Sequence, residues 1–171
     1  MDNKEKKILL ANIQVFVFDF DGVLTDNLVH IDSTGAEFVS CNRSDGLAFD
    51  VIKKLKKPAY ILSSEKNSVV TARAKKLNVS AIHGVADKVQ ALIDLSKKEG
   101  FDFKKILYVG NDLNDYRVMQ LCGYSACPSD SHEKIRSVAN IVLNSKGGSG
   151  VVRELLEDVL SIDFIEVLYL N

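Results

Sequence analysis

The 171 residues are 46% hydrophobic and 26% charged, a balance that suits one compact domain with a core of its own. The formal net charge is −1, and lysine clusters at 4–7, 53–57 and 97–105 are offset by scattered carboxylates, which leaves no basic face for nucleic acid. Residues 1–10 are charged before they are apolar, no small-residue cleavage site follows, and no apolar run reaches membrane length, so a cytoplasmic chain without a membrane partner is expected.

In chain order, an apolar strand is predicted at 13–20, a β-hairpin at 27–41 and a helix at 46–55. Strands at 59–62, 81–83, 105–109, 124–127 and 141–143 then alternate with helices at 67–77, 88–98, 114–121, 132–138 and 150–160. That alternation predicts a single α/β domain over 1–171, a three-layer doubly wound parallel sheet with helices on both faces. The hairpin interrupts the pattern. Two apolar-bearing arms standing alone are marginal in water and leave open edges, so a partner surface is expected there. Cys41, Cys122 and Cys127 are odd in number and lack CxxC spacing, which suits buried reduced thiols. His30, His83 and His132 form no metal-binding spacing.

Candidate chemistry collects where strands end, as ligands of an open α/β sheet bind beyond the strands' carboxyl ends. The segment from Val15 to Thr25 sets two carboxylates, Asp19 and Asp21, directly after an apolar strand, with Gly22 turning the chain away. Two charges so placed are costly unless a cation offsets them, and oxygen-only ligands suit Mg2+. Strand 59–62 ends at Ser63, Lys88 opens a predicted helix, and strand 105–109 runs into Gly110-Asn111-Asp112-Leu113-Asn114-Asp115.

The run from Asp19 to Asp26 resembles the first motif of the haloacid dehalogenase phosphatases. The resemblance implies that Asp19 attacks phosphorus and that Asp21 acts as general acid and base, both beside a bound magnesium ion. It further implies that Ser63 hydrogen-bonds the phosphoryl group and that Lys88 bridges nucleophile and phosphate. In the fourth motif the family carries Asp after the glycine; this chain has Asn111 there and Asp112 next, so either is a candidate third metal ligand. Asp115 is expected to orient Lys88 or a metal-bound water.

Over almost its whole length the chain is similar to one capless branch, the 3-deoxy-octulosonate 8-phosphate phosphatases and their nonulosonate 9-phosphate relatives. A hairpin replaces the cap domain, Arg43-Ser44-Asp45-Gly46 follows it, Gly84 to Asp87 precede the lysine, and Gly147-Gly148-Ser149-Gly150 lead into Val151 to Glu154. The resemblance implies a homotetramer assembled through the hairpins, and substrate contacts from Thr25, Ser44, Asp45, Ser64, Glu65 and Lys76. The octulosonate enzymes carry Gly-Arg where this chain has Ser64-Glu65, and the nonulosonate enzymes carry Glu there with Lys eleven residues on, at Lys76. A nonulosonate 9-phosphate is therefore the expected substrate. An octulosonate 8-phosphate phosphatase, or a catalytically silent oligomerisation module of an acylneuraminate cytidylyltransferase, is the alternative. The apolar tail at 161–171 is expected to pack near a neighbouring active site.

Overall fold

The structure, a computed structural model, describes residues 8–170; the lysine cluster at 4–7 and Asn171 lie outside the described residues. After a single 3-10 turn at Leu10–Asn12 the chain enters β1 (Val15–Phe18), shorter than the apolar run predicts. All of β1 is buried, because helices cover both faces of this central strand. Strand alternation sends Phe16 and Phe18 into one core and Val15 and Val17 into the other.

The hairpin consists of β2 (His30–Ile31) and β3 (Glu37–Phe38), antiparallel with His30 opposite Phe38. Its turn closes on Asp32, whose Oδ1 accepts from the amides of Thr34 at 2.8 Å and Ala36 at 3.0 Å. Leu28, Val29, Ile31 and Phe38 all remain exposed.

Next comes α1 (Arg43–Lys54), which starts earlier than its apolar periodicity predicts, because Asn42 caps it by accepting from the Ser44 amide at 2.8 Å. The remaining elements are β4 (Ala59–Leu62), α2 (Val69–Leu77), β5 (Ser80–Ile82), α3 (Lys88–Glu99), β6 (Ile106–Val109), α4 (Tyr116–Leu121), β7 (Tyr124–Cys127), α5 (Glu133–Val138), β8 (Ile141–Val142) and α6 (Val151–Glu154). The α-helical geometry of α6 gives way to a π-helical stretch over Leu155–Val159.

The six-stranded sheet runs β5-β4-β1-β6-β7-β8, parallel throughout. Apolar faces of α1, α2 and α6 fill one core, and those of α3, α4 and α5 fill the other, giving the three layers that the alternation predicts. The chain winds from β1 toward β5 and then returns to the other side of β1 at β6. This reversal brings the loops that follow β1, β4 and β6 together at one sheet edge.

Phe164 is buried beneath the Arg153 guanidinium, 4.4 Å from its ring centroid, and Leu168 O accepts from Lys54 Nζ at 2.7 Å. Lys54 closes α1, so the tail packs against α1 and α6 of its own chain. Burial of Phe164 and this cation–π contact are the physical reason.

Candidate active site

The last rung between β1 and β6 is Asp19 N donating to Val109 O at 2.9 Å, so Asp19 leaves the sheet at its carboxyl edge with its backbone still fixed. Its carboxylate is almost fully buried; Oδ1 accepts from Phe20 N at 2.7 Å and pairs with Lys88 Nζ at 2.8 Å. Lys88 in turn reaches Asp115 Oδ1 at 2.7 Å. Lys88 is the first residue of α3, where Asp87 accepts from Val89 and Gln90 and so fixes where the helix begins.

Asp115 is a hub with no exposed surface. Its Oδ1 takes Lys88 and the Tyr108 hydroxyl, the latter at 2.8 Å, while Oδ2 takes the amides of Asn111 at 2.9 Å and Asp112 at 3.4 Å. One carboxylate therefore orients the lysine and shapes the loop after β6. Tyr108 was not singled out by sequence, although a tyrosine within an apolar central strand needs a hydroxyl partner and is a legible signal.

Electrostatics follow from burial. Desolvation, then the Asp115 carboxylate, push the Asp19 carboxyl well above its ordinary value, against the opposing pull of Lys88. Desolvation works against the Lys88 ammonium, but Asp19 and Asp115 outweigh it and raise its pKa. Asp21, half-buried, is also raised, first by desolvation and then by Glu65.

A cleft of about 620 Å³ opens over these groups, lined by Asp19, Asp21, Ser63, Glu65, Lys66 and Asn111, with Ser64 and Asp112 on its wall. Ser63 is buried at the end of β4, and its Oγ accepts from Glu65 N at 3.1 Å. Of the two candidate metal ligands after β6, Asp112 is exposed and accepts from Leu113 N at 2.7 Å, closing a turn. Asn111 is buried and its Oδ1 has no partner. A side chain at Gly22 would fall 1.8 Å from Asn111 Nδ2, so the glycine lets the turn after Asp21 lie against Asn111. Among the described residues no three Asp, Glu, His or Cys side chains converge as a metal cluster. The groups that could hold a metal here are Asp19 and Asp21 with a neutral oxygen, Asn111 Oδ1. An orphaned buried oxygen beside a raised carboxyl fits a hard cation.

Four expected substrate contacts lie outside the cleft. Thr25 is buried, and its hydroxyl accepts from Gly22 N at 3.1 Å and Asn27 N at 3.2 Å, holding the catalytic turn together. Ser44 donates to Asn42 at the start of α1. Asp45 is buried and accepts from Val152 and Arg153 of α6. Lys76 is exposed in the last turn of α2, since the helix buries Val70, Ala74 and Leu77 instead. Glu65 does line the cleft, but its Oε1 accepts from Asn67 N at 2.7 Å, and Asn67 Nδ2 donates to Glu37 of the hairpin at 3.0 Å.

Residues 47–155 match the haloacid dehalogenase-like hydrolase family, a span that holds Ser63, Lys88 and the Asn111 to Asp115 loop. The chain belongs to the haloacid dehalogenase-like hydrolases. It is 31% identical over 150 residues to the 3-deoxy-D-manno-octulosonate 8-phosphate phosphatase KdsC of Escherichia coli strain K12, covering 87% of this chain and 80% of that one. It is also similar to a haloacid dehalogenase family hydrolase from Streptomyces avermitilis, with TM-score 0.90, 38% identity and coverage of 94% and 92% of the two chains. The 3-deoxy-D-manno-octulosonate 8-phosphate phosphatase of Moraxella catarrhalis, solved in complex with magnesium, phosphate and KDO, superposes with TM-score 0.84 at 31% identity, covering 88% of this chain and 87% of that one. The sequence reading of a phosphatase in this family, on this α/β fold, stands. Among the described residues no helix is long and apolar enough to cross a membrane.

Proposed function

We propose that the protein hydrolyses a 2-keto-3-deoxy sugar acid phosphate through an aspartyl-phosphate intermediate, and that its substrate is 3-deoxy-D-manno-octulosonate 8-phosphate. The observation that carries the chemistry is the buried Asp19–Lys88–Asp115 chain at the floor of a cleft that also holds Asp21 and Ser63. A silent module would have no use for three buried charges held at this cost. The eight-carbon substrate is the one named for relatives that align with most of this chain. It replaces the nine-carbon expectation, because Lys76 stands outside the cleft and Glu65 is engaged with Asn67. Glu65 in the cleft wall, where a cation is otherwise expected, keeps the nonulosonate 9-phosphate as the second reading.

In the first step Asp19 attacks phosphorus, an oxygen–phosphorus bond forms, and the bond from phosphorus to the sugar oxygen breaks. Asp21, whose carboxyl is raised first by burial and then by Glu65, gives its proton to the departing alkoxide. Asp21 then takes a proton from the water that attacks the aspartyl phosphate, and Asp19 is released as a carboxylate with inorganic phosphate. Lys88 keeps Asp19 oriented and faces the phosphoryl charge, and the Ser63 hydroxyl donates to a phosphoryl oxygen. Magnesium would be held by Asp19, Asp21 and Asn111, and would supply positive charge to the phosphoryl group.

The assembly belongs to the same proposal: a homotetramer joined through the hairpins, supported by the exposed Leu28, Val29, Ile31 and Phe38. Light scattering of the I31D/F38D variant tests it, with a fall in mass expected and an unchanged mass opposing it. For function, magnesium-dependent phosphate release is compared between octulosonate 8-phosphate and nonulosonate 9-phosphate. At least tenfold higher kcat/KM on the eight-carbon ester is expected. The reverse order would overturn the substrate assignment, and release from neither ester would favour the silent module.

A further inference from the structure

One long-range contact outside the cleft joins the first turn of α1 to the start of α6. Asp45 is 1% exposed, and its Oδ1 accepts from Val152 N at 2.9 Å and Arg153 N at 3.1 Å. The N-cap of α6 is Gly150, at φ +93°, which has no side chain to satisfy those amides. A residue more than a hundred positions away therefore caps the helix.

The segment before α6 is held at both ends. Glu154 accepts from the amides of Asn144 and Ser145, each at 2.7 Å, and Gly147 N donates to Asp130 at 2.9 Å. Between these anchors the glycines lie directly on the turn that follows Asp21. Gly148 N donates to Val23 O at 3.0 Å. A side chain at Gly147 would meet Gly22 O at 2.3 Å, and one at Gly148 would meet Asp26 N at 2.5 Å. On its other side the turn meets Asn111 at Gly22, the closest approach described above. The turn carrying Asp21 is thus pressed between the loop after β6 and a glycine loop whose far end Asp45 secures.

We infer that Asp45 is a positioning residue: by capping α6 it holds the 147–150 loop against the turn at 22–26 and so fixes Asp21 relative to Asp19. It touches no cleft-lining group, so its action is on rate and not on substrate binding. The inference rests on the phosphatase reading for its effect on turnover, and on the packing alone for its effect on the turn.

The test uses the full chain with magnesium and p-nitrophenyl phosphate, an ester that needs no sugar recognition, together with amide hydrogen exchange read by mass spectrometry. D45A, shown folded by its thermal transition, is expected to lose at least tenfold in kcat with KM within twofold, and to exchange faster at both 147–153 and 20–27. D45N keeps an acceptor oxygen and is expected to recover most of the rate and the protection. An unchanged kcat in folded D45A, or faster exchange that stops at 147–153, overturns the inference. A merely structural cap would lower the melting temperature without reaching residues 20–27. If D45A does not fold, G148A displaces the turn at Asp26 directly and leaves the Asp45 cap in place; an unchanged kcat there overturns the inference equally. Were wild-type protein to release no phosphate, the phosphatase reading would fail while the exchange result still decided the packing claim.

Discussion

Replacing Asp115 by asparagine tests the hub of the site with the smallest change of shape. Every hydrogen bond to this carboxylate comes from a donor: Lys88 and Tyr108 on one oxygen, the Asn111 and Asp112 amides on the other. Whichever oxygen becomes an NH2, it then faces groups that cannot accept, the Lys88 ammonium on one side or the Asn111 and Asp112 amides on the other, and no rotation of the side chain avoids it. Lys88 meanwhile keeps only Asp19 as counter-ion, at a position with almost no exposure. Breaking one partner of a buried ion pair costs roughly 3–5 kcal/mol, much of it the charge left behind. D115N should therefore unfold at a urea midpoint lower by that equivalent, with the urea dependence of its unfolding free energy unchanged. Its kcat should fall by about a hundredfold, because both the lysine and the loop bearing Asn111 lose their fixed geometry. A D115N protein within about 1 kcal/mol of wild type and with normal turnover would refute the reasoning.

Asp45 gives a pH signature of its own. Burial lifts its carboxyl from 3.8 to about 6, against the pull of the Arg153 and Val152 amides. The folded protein then holds that proton more tightly than the unfolded chain, so this contribution is fully present below about pH 4 and is lost as pH rises through about 6. A rise of that size is worth about 3 kcal/mol. The stability advantage of wild type over D45N should shrink by about that amount between pH 4 and pH 7 in urea titrations; parallel curves would contradict it. Y108F removes one hydrogen bond to Asp115, so a loss of about 1 kcal/mol is expected, with a several-fold lower kcat at unchanged KM. F164A opens a cavity beside Arg153 and should cost roughly 3 kcal/mol by thermal or urea unfolding; a cost below about 0.5 kcal/mol would mean that the tail does not pack as described.

The centre of the sheet was legible because β1 and β6 are apolar runs that only a two-sided burial explains, and Asp19 and Asp21 were legible because they follow directly on such a run. Asp19 and Asp21 follow from a strand end, and Ser63, Lys88 and Asp115 from the family resemblance that their places after β4, at the start of α3 and in the loop after β6 carry. Helix phase and long-range capping are set elsewhere. Lys76 faces solvent because α2 turns Val70, Ala74 and Leu77 into the core. Ser44 and Asp45 open α1 because Asn42 caps it, and Asp45 then serves amides of α6 that nothing nearby in sequence announces. The different surroundings of Asn111 and Asp112 likewise appear only in three dimensions. Both carry a suitable oxygen, but Asp112 spends one on Leu113 while Asn111 keeps its own buried without a partner. The tail's contacts with Arg153 and with α1 are likewise not announced by its own composition.

The most direct test of the account is to trap the phosphoryl group on the enzyme. D21N, which lacks the base for the second step, is mixed with magnesium and p-nitrophenyl phosphate, whose leaving group departs without the proton that Asp21 gives a sugar alkoxide, quenched in acid, digested and read by mass spectrometry. The account predicts phosphate on the peptide containing Asp19, absent when Asp19 is also replaced by asparagine. Phosphate on another residue, or wild-type turnover that persists in D19N, would contradict it.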